Sequence, residues 1–175
     1  MELVDFIRQD LTRLHHELDR ALADLSDKQL HTVPEGKGNS IGFSLWHYAR
    51  TEDNIVRFIL QGRRPTIWME GQHAEKLGGL PPVAQGTGMP VAEAQALRIG
   101  DMAGFREYMQ QVWASTTDYL ANPDTSTFDQ TVLVRPLGEM PAIRALGQVC
   151  LTHGFIHLGE IDHIRTMLGL PGLGI

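Results

Sequence analysis

Residues 141–171 read PAIRALGQVCLTHGFIHLGEIDHIRTMLGLP, and their spacing decides the fold class. Ile143, Leu146, Cys150, His153, His157, Ile161, Ile164 and Leu168 follow one another at steps of 3, 4, 3, 4, 4, 3 and 4. An α-helix places such positions on one face, so the run predicts a long helix with one buried side. It follows Pro141, and Gly169 and Pro171 stop it.

Three further stripes precede it. Over residues 2–25, Ile7, Leu11, Leu14, Leu18, Leu22 and Leu25 recur at helical steps, which leaves His15, Glu17, Asp19 and Arg20 off the stripe and expected in solvent. A second helix is predicted from Ser40, whose hydroxyl can cap it, to about Gly62. Leu45, Trp46, Ala49, Val56, Ile59 and Leu60 supply its apolar positions, with His47, Thr51, Asn54 and Phe58 along a neighbouring stripe. Pro90 suits the first position of a third segment. Gly100 and Asp101 break and restart it, Met102 to Leu120 carry the stripe, and Asn122 and Pro123 end it.

The connections are less regular. Residues 26–39 carry Pro34, Gly36 and Gly38, and residues 62–89 are rich in glycine and proline. A structureless connection of that length is uncommon in a compact domain. It is expected to wrap the surface, cover a site or contain short helical turns, with Trp68, Met69 and His73 as anchors. A short extended piece is expected around Thr131–Val134, too brief to define a sheet. Four amphipathic helices in 175 residues predict an all-α chain, a four-helix bundle with long irregular connections forming a single domain over residues 1–175.

Composition narrows the function classes. Hydrophobic residues are 42% and charged residues 21%, as in ordinary globular chains. A net charge of −6 argues against a nucleic-acid grip, which needs cations along phosphates. No apolar run is long enough for a membrane span, and MELVDFIRQD has no signal pattern. Cys150 is the single cysteine, so no intrachain disulfide can form and a cytoplasmic setting is expected. No phosphate-cradling glycine loop and no G-x-S-x-G elbow occurs.

What stands out on the last helix is that His153 and His157 occupy the middle of an apolar stripe. Residues four apart lean the same way, so the two imidazoles can reach a common point. Burying an unpartnered polar group costs about 1–3 kcal/mol, and a shared metal ion is one way to offset that. Internal hydrogen bonds are another, and spacing alone leaves both open. A third ligand must come from another helix, where His47 is the best placed candidate; a helix-surface position beside Tyr48 is the plainer reading of His47 alone. His163 falls off the stripe, at a surface or dimer interface. His15, His16, His31 and His73 have no supporting pattern. Cys150 lies one turn before His153 and is read as a small buried apolar residue. Thr51 and Asn54 could line a pocket or simply face solvent.

The segment NSIGFSLWHYARTEDNIV resembles the second-helix motif of the DinB-like superfamily, and LTHGFIHLGEIDHIRTMLGLPG resembles that family's last-helix motif. The resemblance spans most of the chain and is weakest between residues 62 and 140. It implies a bundle of the DinB and YfiT-like type and a divalent metal, often zinc or nickel, held by His47, His153 and His157. Characterised relatives include transferases and isomerases that use the low-molecular-weight thiols bacillithiol or mycothiol, and metal-dependent hydrolases. Homodimers are common among them. Glu160 departs from the family's frequent Gln. It could accept a hydrogen bond from a ligating His or act as a general base, but pairing with Arg165 or solvent is the preferred reading.

The leading expectation is therefore a divalent-metal-dependent enzyme. A thiolate or hydroxide at the metal would attack a small electrophilic substrate, and the catalytic side chains stay unassigned. A non-catalytic metal or small-ligand binder and a dimeric scaffold stay open beside it. An all-histidine site should lose its metal below about pH 6, where free imidazoles take up protons.

Overall fold

A computed structural model describes residues 3–121 and 124–174. The chain is mostly helical. Helix α1 spans Leu3–Ala23. Ser26 then caps a short α2, Asp27–His31, in a reciprocal capping box with Gln29, where a plain connection was expected. Helix α3, Ile41–Asp53, starts as its sequence predicts: the Ser40 hydroxyl accepts from the Phe43 N–H at 3.1 Å. It continues as a π-helical run over Asn54–Ile59. The long connection resolves into α4 (Ile67–Glu70), α5 (His73–Lys76) and α6 (Val91–Ala96), joined by irregular chain. Trp68 and His73 are buried there, but Met69 is 57% exposed and anchors nothing. Helix α7 spans Met102–Ala121. The expected stop at Asn122 and Pro123 lies outside the described residues.

Two strands depart from the helical expectation. β1 (Thr131–Val134) does form a sheet, because β2 (Gly138–Pro141) folds back on it antiparallel, with Val132 opposite Met140. The last helical segment begins with α8, Ala142–Ala145, passes through a π-helical run at Leu146–Thr152, and becomes α9, His153–Met167. A π turn inserts one residue into the helical count. Beyond it the buried face is wider than the stripe: His157, Ile161 and Ile164 are buried as predicted, Gly154, Leu158 and Arg165 join them, and His153 is half-buried at the margin. No helix among the described residues is long and apolar enough to cross a membrane.

Helix α3 is the centre of the molecule, with every residue from Ile41 to Asp53 buried. It packs on α9 and α7, while α1 lies against α7, α9 and the preceding π run. A helix buried all round must hide its charges among partners, since an unpaired buried charge is costly. Glu52, fully buried, accepts from Thr116 and Tyr48 hydroxyls at 2.5 Å each and from His15 at 3.0 Å. His15 is thus 5% exposed and stacked on Trp113, not solvated as its place off the stripe predicts. Asp53 accepts from the Ile67 and Trp68 N–H groups and the Tyr108 hydroxyl, which ties α4 and α7 to the central helix.

Candidate metal centre

His47 sits in the second turn of α3, and His153 and His157 in the first two turns of α9, the helix packed beside it. The three rings converge. Their centroids are 5.2 Å apart for His47 and His153, 5.1 Å for His47 and His157, and 4.4 Å for His153 and His157. One ring nitrogen of each lies within 4.8 Å of the others. Neither Cys150 nor Glu160 joins that set.

The outer side of two rings is tied down. Nδ1 of His157 meets a Glu160 carboxylate oxygen at 2.7 Å, and Nδ1 of His47 meets the Gln85 carbonyl oxygen at 2.5 Å. A carboxylate and a carbonyl only accept, so both Nδ1 atoms carry the proton. A neutral ring then presents a bare lone pair at Nε2. The Nε2 atoms of His157 and His153 are 2.9 Å apart, and Nδ1 of His153 is buried without a hydrogen-bond partner.

Electrostatics favour the ligating form of His47 and His153. Burial, opposed by the Gln85 carbonyl and assisted by His157, lowers the His47 pKa. Burial first, and then the neighbouring His157 and His47, bring His153 down to about 4. The hydrogen bond from His157 holds the Glu160 carboxyl below its usual range. Glu160 is therefore not the partner of Arg165, which instead forks onto both carboxylate oxygens of Asp24 at 2.7 and 3.0 Å and onto the Ala21 carbonyl at 2.8 Å.

The remaining candidates fall away from the site. The Thr51 hydroxyl bonds back to the His47 carbonyl at 2.8 Å, and Asn54 begins the π run. Cys150 is fully buried, which pushes its thiol well up and makes it a poor nucleophile. His31 is structural: it accepts from the Ile99 N–H at 3.0 Å and donates to the Asp27 carbonyl. His73 packs among Trp68 and Tyr108, and His16 and His163 are exposed. A cleft of about 660 Å³ beside α7, lined by Arg57, Arg64, Asp118 and Tyr119 among others, does not include the histidines. Sequence reasoning missed the Gln85 carbonyl, since a backbone atom leaves no mark on residue type.

A family model described as the DinB superfamily matches residues 10–161. A crystal structure described as the conserved protein of locus from Enterococcus faecalis has the same fold, with a TM-score of 0.83 over 97% of this chain and 99% of that one, at 18% sequence identity. No curated protein matches the chain.

Proposed function

This chain belongs to the DinB superfamily, and we propose that it is a divalent-metal-dependent enzyme in which His47, His153 and His157 hold the ion. The finer architecture we read as the family's four-helix bundle, built from α1, α3, α7 and the last helical segment. The observation that carries the metal reading is the facing of ring nitrogens. Glu160 and Gln85 fix the protons of His157 and His47 on Nδ1, so two lone pairs point inward with His153 Nε2 between helices. Bare lone pairs packed together repel unless a cation or a ring N–H lies between them, and one N–H can bridge only the 2.9 Å pair of His153 and His157, whereas a divalent ion can serve all three rings at once. Three imidazoles suit zinc, nickel, iron or copper.

Enzyme rather than binder is supported by the donor count. Three protein ligands leave positions open, which is the catalytic arrangement, whereas a structural site is closed by four. Such an ion would supply Lewis acidity, lowering the pKa of a water or a small thiol in an open position. The chain's own contribution is to favour the neutral form of His47 and His153, to aim the three rings, and to hold Glu160 ionised beside His157 as an acceptor. The substrate class we propose is a small electrophilic molecule, with a thiol transfer or a hydrolysis as the reaction.

The first test is metal analysis of protein purified without a nickel column. About one divalent ion per chain, lost in His47→Ala and His153→Leu, is the expected result. No ion and no uptake on reconstitution would overturn the proposal. A loaded protein that leaves thiol-reactive electrophiles and activated esters untouched would return the site to a non-catalytic binding role.

A further inference from the structure

Three side chains of the buried framework donate to alternate carbonyls of one short run. Trp68 Nε1 reaches the Pro81 oxygen at 3.2 Å, Arg50 Nη2 the Val83 oxygen at 3.0 Å, and His47 Nδ1 the Gln85 oxygen at 2.5 Å. The chain bends at Pro82 and Val83, yet all three carbonyls are turned onto side chains of α3 and α4. Arg50 is itself buried, with its guanidinium over the Trp68 ring at 4.6 Å. The run ends at Gly86, where φ is +93°. A Cβ there would stand 3.0 Å from Phe43 Cζ, 3.0 Å from Trp46 Cζ3 and 3.1 Å from His47 Nδ1. The backbone therefore lies close against three rings of α3, which a Cβ would have to push aside by a few tenths of an ångström, and in a conformation that favours glycine.

We infer that residues 81–86 form a strap that orients His47, with the Gln85 carbonyl selecting the Nδ1–H tautomer and Gly86 acting as the positioning residue that lets the carbonyl approach. The inference rests on the reading of His47 as a metal ligand. The physical reason is general: the hydrogen bond made by one imidazole nitrogen decides what the other can bind, and loss of such a partner weakens metal affinity about 10- to 100-fold. His157 gets the same service from a carboxylate one turn along its own helix. His47 has no such neighbour on α3 and takes it from a loop 38 residues away. Arg50 and Trp68 hold that loop at two earlier points, so the carbonyl is presented rather than left to find the ring.

Two measurements test this. On the wild-type, metal-free chain, nitrogen-15 NMR of the imidazoles should show His47 protonated at Nδ1; protonation at Nε2, or a rapidly exchanging mixture, overturns the strap. Cobalt(II) titration against a competing chelator then compares Gly86→Ala with Thr87→Ala, an exposed control on the same loop. Gly86→Ala should bind cobalt about 10- to 100-fold more weakly and shift its absorption bands, with Thr87→Ala as wild type. Equal affinity and an unchanged spectrum in a folded Gly86→Ala overturn the inference. If that variant does not fold, the tautomer decides. A wild-type chain that takes up no cobalt but shows the Nδ1–H tautomer separates failure of the metal reading from failure of the strap.

Discussion

Glu160 lies 2.7 Å from Nδ1 of His157, one turn further along α9, and the bond gives an exposed carboxylate a buried purpose. Removing it in Glu160→Ala should free the ring to change tautomer and to turn. Metal affinity should fall about 10- to 100-fold, while Glu160→Gln, which keeps an acceptor oxygen, should recover part of the loss. The metal-free fold should barely notice, because the side chain is about half exposed and surface changes usually shift stability by about 0.5 kcal/mol or less. Chelator competition and thermal melts read the two effects separately. Unchanged affinity in Glu160→Ala would mean that the carboxylate does not act through His157.

The depressed imidazoles set a pH dependence whose sign can be worked out. His153 takes its proton near pH 4 in the folded chain and near 6.5 when unfolded. Between those values the unfolded state binds more protons, so the metal-free fold loses stability as pH falls from about 6.5 to about 4, after which this group adds nothing more. His47 is lowered too and adds a contribution of the same sign. Melting temperatures of the metal-free protein across that window should fall more steeply for the wild type than for His153→Leu. Equal slopes would contradict the assignment. With metal present, protons compete for the same ring nitrogens, so cobalt bands should fade as the pH falls toward 4, where His153 takes its proton.

How far the sequence reaches is visible residue by residue. The period of α1, α7 and α9 was legible because each buries one broad face, α3 was legible from its Ser40 cap although it is buried all round, and the meeting of His153 and His157 needs only their spacing. The π run at Leu146–Thr152 was not, since it leaves no mark on residue type; beyond it Gly154 is buried and His153 lies at the margin of the face. His15 was misread for a related reason. Its burial is decided by Glu52, 37 residues away on a helix buried all round, and no local period reports that. β1 was seen as extended but not as a sheet, because pairing depends on a return strand with few strand-forming residues, GEMP.

Glu52 offers a test of that buried network independent of the metal. Its carboxylate receives His15, Tyr48 and Thr116 with no exposure to water. Glu52→Ala leaves His15 and Thr116 without their partner, leaves Tyr48 only the Cys150 carbonyl at 3.1 Å, and opens a void, which together should cost about 3 kcal/mol. For a chain of this size that is a fall in Tm on the order of 10 °C. Metal stoichiometry should stay at the wild-type value, since none of the three is among the converging histidines and Tyr48 meets His153 only through its ring. A melt within about 2 °C of wild type would show that water or a rearranged partner replaces the carboxylate.

Gly154 marks the closest approach of α9 to its neighbours, and it lies between the two histidines of that helix. A Cβ built on it would stand 2.3 Å from Leu14 Cδ2 on α1 and 2.7 Å from Tyr48 Cε2 on α3. Overpacking of this kind costs about 1–3 kcal/mol, because neither the α1 side chain nor the ring can move far in a dense core. Gly154→Ala should therefore destabilise the fold even though alanine is the better helix former by about 1 kcal/mol. The clash with Leu14 is with the end of a side chain, so Leu14→Ala should relieve part of it. Denaturant unfolding of the two single variants and the double variant forms a cycle: the double should be less destabilised than the sum of the singles by at least about 0.5 kcal/mol. The residual clash with Tyr48, which the cycle leaves in place, should push α9 away from α3 and weaken cobalt binding in the double variant too. Additive energies, or a Gly154→Ala chain more stable than wild type, would mean that the helices are not held together at this point.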